Sequence, residues 1–150
     1  MNRRKLAPAN IVILAGGALM LLASFFAFYD YKVGGASAGT SNAWDHGNFM
    51  IATLPALLGT FMALQVGLQA FSNIDMPARM LGLTWDQVHL VFSLQALLIM
   101  LAFLGRARLN FAELRITFGI GFWLMLLGSI GLVVAALMRV AASGRRPRAV

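Results

Sequence analysis

The sequence lacks cysteine altogether, and charged residues are scarce in it. Without a thiol, the chain forms no disulfide, no thiolate metal site and no iron–sulfur cluster. Only 11% of its 150 residues are charged, whereas 60% are hydrophobic. Because a soluble domain is roughly 45 to 50% apolar, this composition predicts an integral membrane protein that has the lipid bilayer as a partner.

Acidic residues are fewer than basic ones, with five against twelve lysines and arginines and a net charge of +7. No charged residue of either sign lies deep within an apolar segment, where proton-coupled pumps and ion pathways usually carry one. The cations flank apolar segments and do not follow a polar face with interleaved aromatics, so we expect no nucleic-acid partner. Phosphate-binding glycine loops, Ser/His/Asp sets and zinc-protease motifs are also missing. The sequence therefore predicts a protein that is not an enzyme and has no cofactor.

Four segments are apolar over about the 20 residues that a helix needs to cross a bilayer: 11–28, 49–71, 86–104 and 116–138. The third segment is the weakest because it contains His89, Ser93 and Gln95, and a three-crossing alternative omits it. Thr84 and Gln87 favour it, because their spacing forms a capping box at its start. We predict an all-α, four-helix transmembrane bundle that forms a single domain over residues 1–150.

The segments between the predicted helices differ in character. Residues 30–48 form a polar outer loop, whose glycines and serines over 34–41 are typical of a flexible linker. Asn110 to Glu113 repeats the capping pattern, so the fourth helix is expected to begin ahead of the hydrocarbon region. The small-x-small run at Ala36 to Ala38 leaves open a signal peptide that is cleaved after the first segment.

The distribution of cations sets the orientation, because cytoplasmic loops carry an excess of lysine and arginine. With four crossings, eight cations lie on the side of both ends and four on the other; with three crossings the division is seven to five. We therefore expect both termini, including the basic tail over 139–150, to be cytoplasmic. Arginine outnumbers lysine ten to two, which is typical of a GC-rich bacterial genome. A multi-pass protein of a bacterial inner membrane is the predicted location.

Small residues recur at four-residue spacing in the second predicted helix, at Gly59, Ala63 and Gly67. In lipid, such a stripe lets another helix approach closely, so that van der Waals contact stabilises their association. We interpret the stripe as a helix-packing face. The leading hypothesis for function is a non-enzymatic accessory or scaffold subunit that packs through this helix, in a homo-oligomer or a larger membrane complex.

Polar side chains are concentrated in the second and third predicted helices. They are Gln65, Gln69, His89, Ser93 and Gln95. Polar groups in hydrocarbon need partners, and depth matching pairs Gln69 with His89 and Gln65 with Ser93. This intramembrane polar interface is either a set of interhelical hydrogen bonds or a polar pathway. The second reading gives the alternative function, a small transporter or channel subunit.

The sequence offers weak candidates for a haem site and for a metal site. Paired histidines can hold a haem between helices, but His46 precedes the second helix and His89 lies near the opposite face. Most of the membrane thickness would separate them. Asp30, Asp45 and His46 share the outer loop, yet three polar residues in a loop are weak evidence for a metal site. We predict neither haem nor metal.

The run Ser41 to Asp45, of sequence SNAWD, precedes an Ala/Leu/Gly-rich helix and two further spans. In this arrangement the chain resembles the small uncharacterised four-helix membrane proteins of actinobacteria. The resemblance implies the four-span architecture and carries no known activity. Small multidrug exporters share the number of spans, but their pattern has a membrane-embedded glutamate in the first helix. Residues 11–28 of this chain contain no acidic residue.

Overall fold

The computed structural model describes residues 7–47, 49–72, 77, 79–80, 82–106 and 114–144. In these parts the chain forms four helices, α1 (Pro8–Ala23), α2 (Phe49–Phe71), α3 (Trp85–Arg106) and α4 (Ile120–Gly144). It also forms five strands, β1 (Tyr29–Val33), β2 (Ala36–Ser41), β3 (Arg79–Met80), β4 (Leu83–Thr84) and β5 (Leu114–Phe118). The prediction of four helices is confirmed, whereas the all-α assignment is incomplete because two small sheets accompany them.

Three of the helices, α2, α3 and α4, are long and apolar enough to cross a membrane. The helix α2 has the predicted bounds, and α3 extends the predicted third segment by one residue at its start and two at its end. The first helix is shorter than expected, with 16 residues. It ends at Ala23 because Phe28 has left the helix and donates its N–H to the Ser41 carbonyl oxygen at 2.7 Å.

The four helices pack side by side, with α1 against α2 and α4, and with α3 also against α2 and α4. Neighbouring helices run antiparallel, as the contacts of α1 illustrate. Gly17 lies beside Gly59, while Leu14, earlier in α1, lies beside Gly67, later in α2. A Cβ on Gly17 would lie only 2.3 Å from the Gly59 carbonyl oxygen, so the close approach of α1 and α2 requires glycine at this position.

One end of the helices is covered by a three-stranded antiparallel sheet of order β2-β1-β5, and we call it the sheet end. In this sheet Tyr31 of β1 lies opposite Gly39 on one side and Ile116 on the other. Tyr29 and Phe28 are buried and contact the Phe103 ring of α3 edge to face. The prediction of a flexible linker over 34–41 is therefore wrong, because most of this segment is hydrogen-bonded in a sheet whose apolar side packs on the helix ends.

The fourth helix begins at Ile120, four residues later than predicted, because Leu114–Phe118 form β5. The chain turns from strand to helix at Gly119, whose N–H donates to the Phe28 carbonyl oxygen at 3.0 Å. A Cβ there would lie 2.2 Å from the Ala27 carbonyl oxygen, so only glycine fits. The predicted capping segment 110–113 lies outside the described residues.

The opposite end, which we call the hairpin end, carries the two-stranded pair β3 and β4 between α2 and α3. Gly82, in the turn between the strands, has a φ of 82°, a left-handed conformation that suits glycine. The predicted capping box is confirmed. The Thr84 N–H donates to Gln87 Oε1 at 2.9 Å, and the Gln87 N–H donates to Thr84 Oγ1 at 3.4 Å.

Candidate functional site

The predicted helix-packing residues of α2 face α1 of the same chain. Gly59 is buried, and Ala63 lies so close to α1 that a Cβ on Gly17 would approach the Ala63 Cβ to 2.7 Å. Gly67 is less tightly packed, since a Cβ there would find its nearest neighbour, Leu14 Cδ2, at 3.7 Å. The stripe is therefore used within the chain at Gly59 and becomes progressively open toward Gly67.

A groove follows the open part of this stripe between α1 and α2. Its volume is about 400 Å³, and its lining comprises Leu14, Gly17, Ala18 and Leu21 of α1 and Thr60, Ala63, Leu64, Gly67 and Leu68 of α2. Glycine and alanine thus alternate with leucine along it. The polar side chain in the lining is Thr60, and its hydroxyl donates to the Ala56 carbonyl oxygen at 2.8 Å. The groove consequently offers van der Waals contact and little hydrogen bonding.

The predicted polar interface between α2 and α3 is only partly assembled. Gln65, His89 and Ser93 are buried, whereas Gln69 and Gln95 have exposed side chains. Gln95 lies two residues after Ser93 and therefore on another face of α3. Gln69 shares a face with Gln65, but it lies in the last turn of α2, where its side chain is exposed. The five residues are therefore not brought together along one path.

The predicted pairing of Gln69 with His89 is not formed. His89 Nδ1 instead lies 3.0 Å from Arg139 Nη1 of α4. The Ser93 hydroxyl donates to the Leu90 carbonyl oxygen at 3.0 Å, within its own helix, which is the bond a serine makes when it is buried in a helix.

Arg139 joins α3 to α4 at the hairpin end. Its Nε donates to Asp86 Oδ1 at 2.7 Å, and this ion pair is mostly buried, with side-chain exposures of 17% for Arg139 and 25% for Asp86. A guanidinium only donates hydrogen bonds, so His89 Nδ1 must be the acceptor and the ring proton sits on Nε2. His89 Nε2 is buried and has no hydrogen-bond partner among the described residues.

The ion pair is a feature that the sequence analysis missed. In the sequence, Asp86 is an acid at the start of the third apolar segment and Arg139 is the first cation of the basic tail, and no local pattern relates them. The positions of the two residues along their predicted helices are what relates them. Asp86 lies in the first turn of α3 and Arg139 near the end of α4, which places them at the same level of two antiparallel neighbours.

A second polar cluster lies at the sheet end, around the tryptophan of the first loop. Trp44 Nε1 donates to Ser24 Oγ at 2.9 Å, and the Trp44 ring stacks on Phe25 with centroids 5.6 Å apart. The Trp44 N–H donates to Asn42 Oδ1 and the Asn42 N–H to Asp45 Oδ2, both at 2.7 Å. These bonds fix the turn that follows β2 and lock it to the end of α1.

The residues weighed as metal or haem ligands do not converge. His46 is exposed in the turn at the sheet end, while His89 is buried in α3 near the hairpin end. Over the ranges that the structure describes, no group of three or more histidines and carboxylates is placed to hold a metal ion.

Comparison of the chain with protein-family models, with curated proteins and with solved structures gives no match. The function is therefore inferred from the geometry of the chain alone.

Proposed function

We propose that the protein is a non-enzymatic accessory or scaffold subunit of a bacterial inner membrane, which crosses the bilayer four times with both termini in the cytoplasm. The observation that carries the scaffold role is the small-residue groove between α1 and α2. Its occupant in this proposal is a transmembrane helix of another membrane protein.

The surface of the helices supports a membrane location for all four. Large apolar side chains are exposed on each helix, with Leu22 63%, Leu64 59%, Leu98 65% and Leu127 60% exposed. In water such a surface would favour aggregation, whereas acyl chains solvate it. Their presence on every helix supports a bundle that is surrounded by lipid.

The aromatic residues support the placement of the bundle in the bilayer. Trp44 and the half-exposed Trp123 lie at the sheet end, and Trp85 lies at the hairpin end. Tryptophan favours the two membrane interfaces, where its apolar ring and polar N–H are both satisfied. The two ends of the helices would then mark the two interfaces, with the sheet on the outer side.

The short first helix is compatible with a crossing. Its 16 residues span about 24 Å, which is less than the roughly 30 Å of hydrocarbon. The apolar residues that follow, with Phe25 and Phe26 exposed, extend the apolar surface beyond Ala23. Local thinning of the bilayer accommodates the remaining difference at modest cost.

The groove suits a helix because of the sizes of its lining residues. Where Ala63 and Gly67 leave space, the backbone of another helix can approach closely, and leucines on either side supply contact area. The lining does not require a polar partner, since the Thr60 hydroxyl already donates a hydrogen bond within its own helix. The alternative transporter role lacks comparable support, because Gln69 and Gln95 are exposed away from the buried His89.

Site-specific crosslinking tests this proposal, and the absence of cysteine makes single-cysteine variants specific. A photoreactive maleimide on Leu64→Cys, in the groove, is compared with the same probe on Leu98→Cys, which is on α3 and similarly exposed. In native membranes we expect Leu64→Cys to form an adduct with a transmembrane segment of another protein and Leu98→Cys to label lipid. Lipid adducts alone at both positions would contradict helix docking.

A glycine pair supplies the matched control. A Cβ at Gly67 would find its nearest neighbour at 3.7 Å, and one at Gly131 of α4 at 3.8 Å, so both positions accept a side chain. Gly67→Leu fills the groove, whereas Gly131→Leu does not touch it. We expect Gly67→Leu to reduce the protein adduct at Leu64→Cys at least tenfold and Gly131→Leu to leave it unchanged. Equal adduct yields in the two variants would contradict the groove as the docking site.

A further inference from the structure

The strand β2 forms an edge of the three-stranded sheet. It pairs with β1 on one side, and within the described residues no strand pairs with its other side. Five of its six residues are exposed, from Ala36 to Thr40. Alternate N–H and C=O groups of such a strand point away from the sheet and are free to pair with another strand.

This edge lacks most of the features that usually prevent edge pairing. Proteins protect edge strands with charges, prolines or bulges, and the sequence ASAGTS of β2 contains neither a charge nor a proline. A register shift opposite Tyr31 and Lys32 bends the strand once. Beyond that bend, Gly39 and Thr40 are exposed and keep a continuous register with β1. The other edge of the sheet, β5, carries the exposed cation Arg115.

A second copy of the chain is the partner that this edge fits. This argument rests on the membrane-spanning orientation proposed above, because a bilayer holds all copies at one height with the same side outward. A two-fold axis along the membrane normal would then bring the β2 edges of two copies together. The uncharged residues of β2 bring no like charges together at that axis, whereas pairing through β5 would bring Arg115 near its copy.

We propose that β2 of one copy pairs antiparallel with β2 of a second copy, so that two three-stranded sheets join into a continuous six-stranded sheet on the outer side. The two-fold symmetry fixes one detail of this pairing. Opposite residues in an antiparallel pair point to the same side of the sheet, so one residue of β2 must lie opposite itself. Its two Cβ atoms are then about 4.5 to 5.5 Å apart, within reach of a disulfide if both are cysteine.

Single cysteines test the pairing in the full-length protein in native membranes. Ala36→Cys, Ser37→Cys, Ala38→Cys and Thr40→Cys scan β2, and Thr117→Cys in β5 is an exposed control on the same sheet. Co-expressed Ala38→Cys and Thr40→Cys cover a register centred on Gly39, in which these two residues lie opposite each other. After mild oxidation, we expect one of these β2 samples to give a disulfide-linked dimer at least ten times more abundant than that of Thr117→Cys. Yields no higher than that of the control in every β2 sample would overturn the proposal.

Two further measurements separate this inference from the proposed function. A membrane-impermeant maleimide applied to intact cells labels Thr117→Cys, which lies away from the proposed seam, if the sheet is outside. Labelling without a dimer overturns only the strand pairing, whereas no labelling overturns the orientation on which both proposals rest. In the β2 cysteine variant that forms the dimer, we also expect an added Gly67→Leu substitution to leave the dimer yield unchanged, because the groove of α1 and α2 is a separate surface. Loss of the dimer in Gly67→Leu would contradict pairing through β2.

Discussion

At the scale of single residues, some contacts join neighbours within one turn of a helix and others join distant parts of the chain. The capping box of Thr84 and Gln87 is a contact between residues three apart, and the structure contains it as predicted. The spacing of Gly59 and Ala63 likewise predicted a packing face. Spacing does not identify the partner, however, and the partner is Gly17 of the same chain. The ion pair of Asp86 with Arg139 joins residues 53 positions apart, which no local pattern indicates.

A substitution of Arg139 tests whether its ion pair with Asp86 stabilises the fold. Arg139→Gln removes the charge that compensates Asp86 and leaves His89 Nδ1 without its donor, at a cost of about 1 to 3 kcal/mol for unsatisfied buried groups. We expect a lower midpoint of thermal unfolding in detergent, followed by circular dichroism. Arg115→Gln, which changes an exposed cation of β5, should leave the midpoint unchanged. Equal midpoints for the two variants would show that the ion pair does not stabilise the fold.

At the scale of elements, the helices were predictable and the strands were not recognised. Long apolar runs identify α2 and α3 because the bilayer demands their length. The strands carry a weaker signal, the alternation in Tyr29–Val33 and Leu114–Phe118 of apolar residues with Asp30, Lys32, Arg115 and Thr117. The helical pattern masks this signal, because β1 immediately follows the first apolar segment and the last three residues of β5 belong to the fourth. Their pairing could not be read from spacing, since the two strands are more than 80 residues apart.

Substitutions on the two faces of β5 test the sheet. Ile116 lies opposite Tyr31 on the core side of the sheet, whereas Thr117 lies opposite Asp30 on the exposed side. Ile116→Asp should therefore open the sheet, and Thr117→Asp should preserve it. Trypsin added to intact cells measures the difference, because Lys32 and Arg115 are held in β1 and β5. We expect cleavage several times faster in Ile116→Asp than in wild type, and unchanged rates in Thr117→Asp. Equal rates in both variants would contradict the sheet.

At the scale of the whole molecule, four antiparallel helices have a sheet at one end and a hairpin at the other. The close contacts of Gly17 hold α1 against α2, and a groove remains beside them. The composition predicted the membrane class, because 60% apolar residues cannot be buried within so small a chain. It could not indicate that Tyr29–Val33 and Ala36–Ser41 form strands, because β1 pairs with β5, which comes more than 80 residues later in the chain.

Labelling of single cysteines tests the proposal that all four helices cross the membrane and that both ends are cytoplasmic. The sites are Ala7→Cys before α1, Ser37→Cys in β2 and Ser143→Cys near the end of α4, all of which are exposed. With a membrane-impermeant maleimide, we predict that Ser37→Cys is labelled in intact spheroplasts, and that Ala7→Cys and Ser143→Cys are labelled only after permeabilisation. Labelling of Ser143→Cys or Ala7→Cys in intact spheroplasts would contradict four crossings with both termini inside.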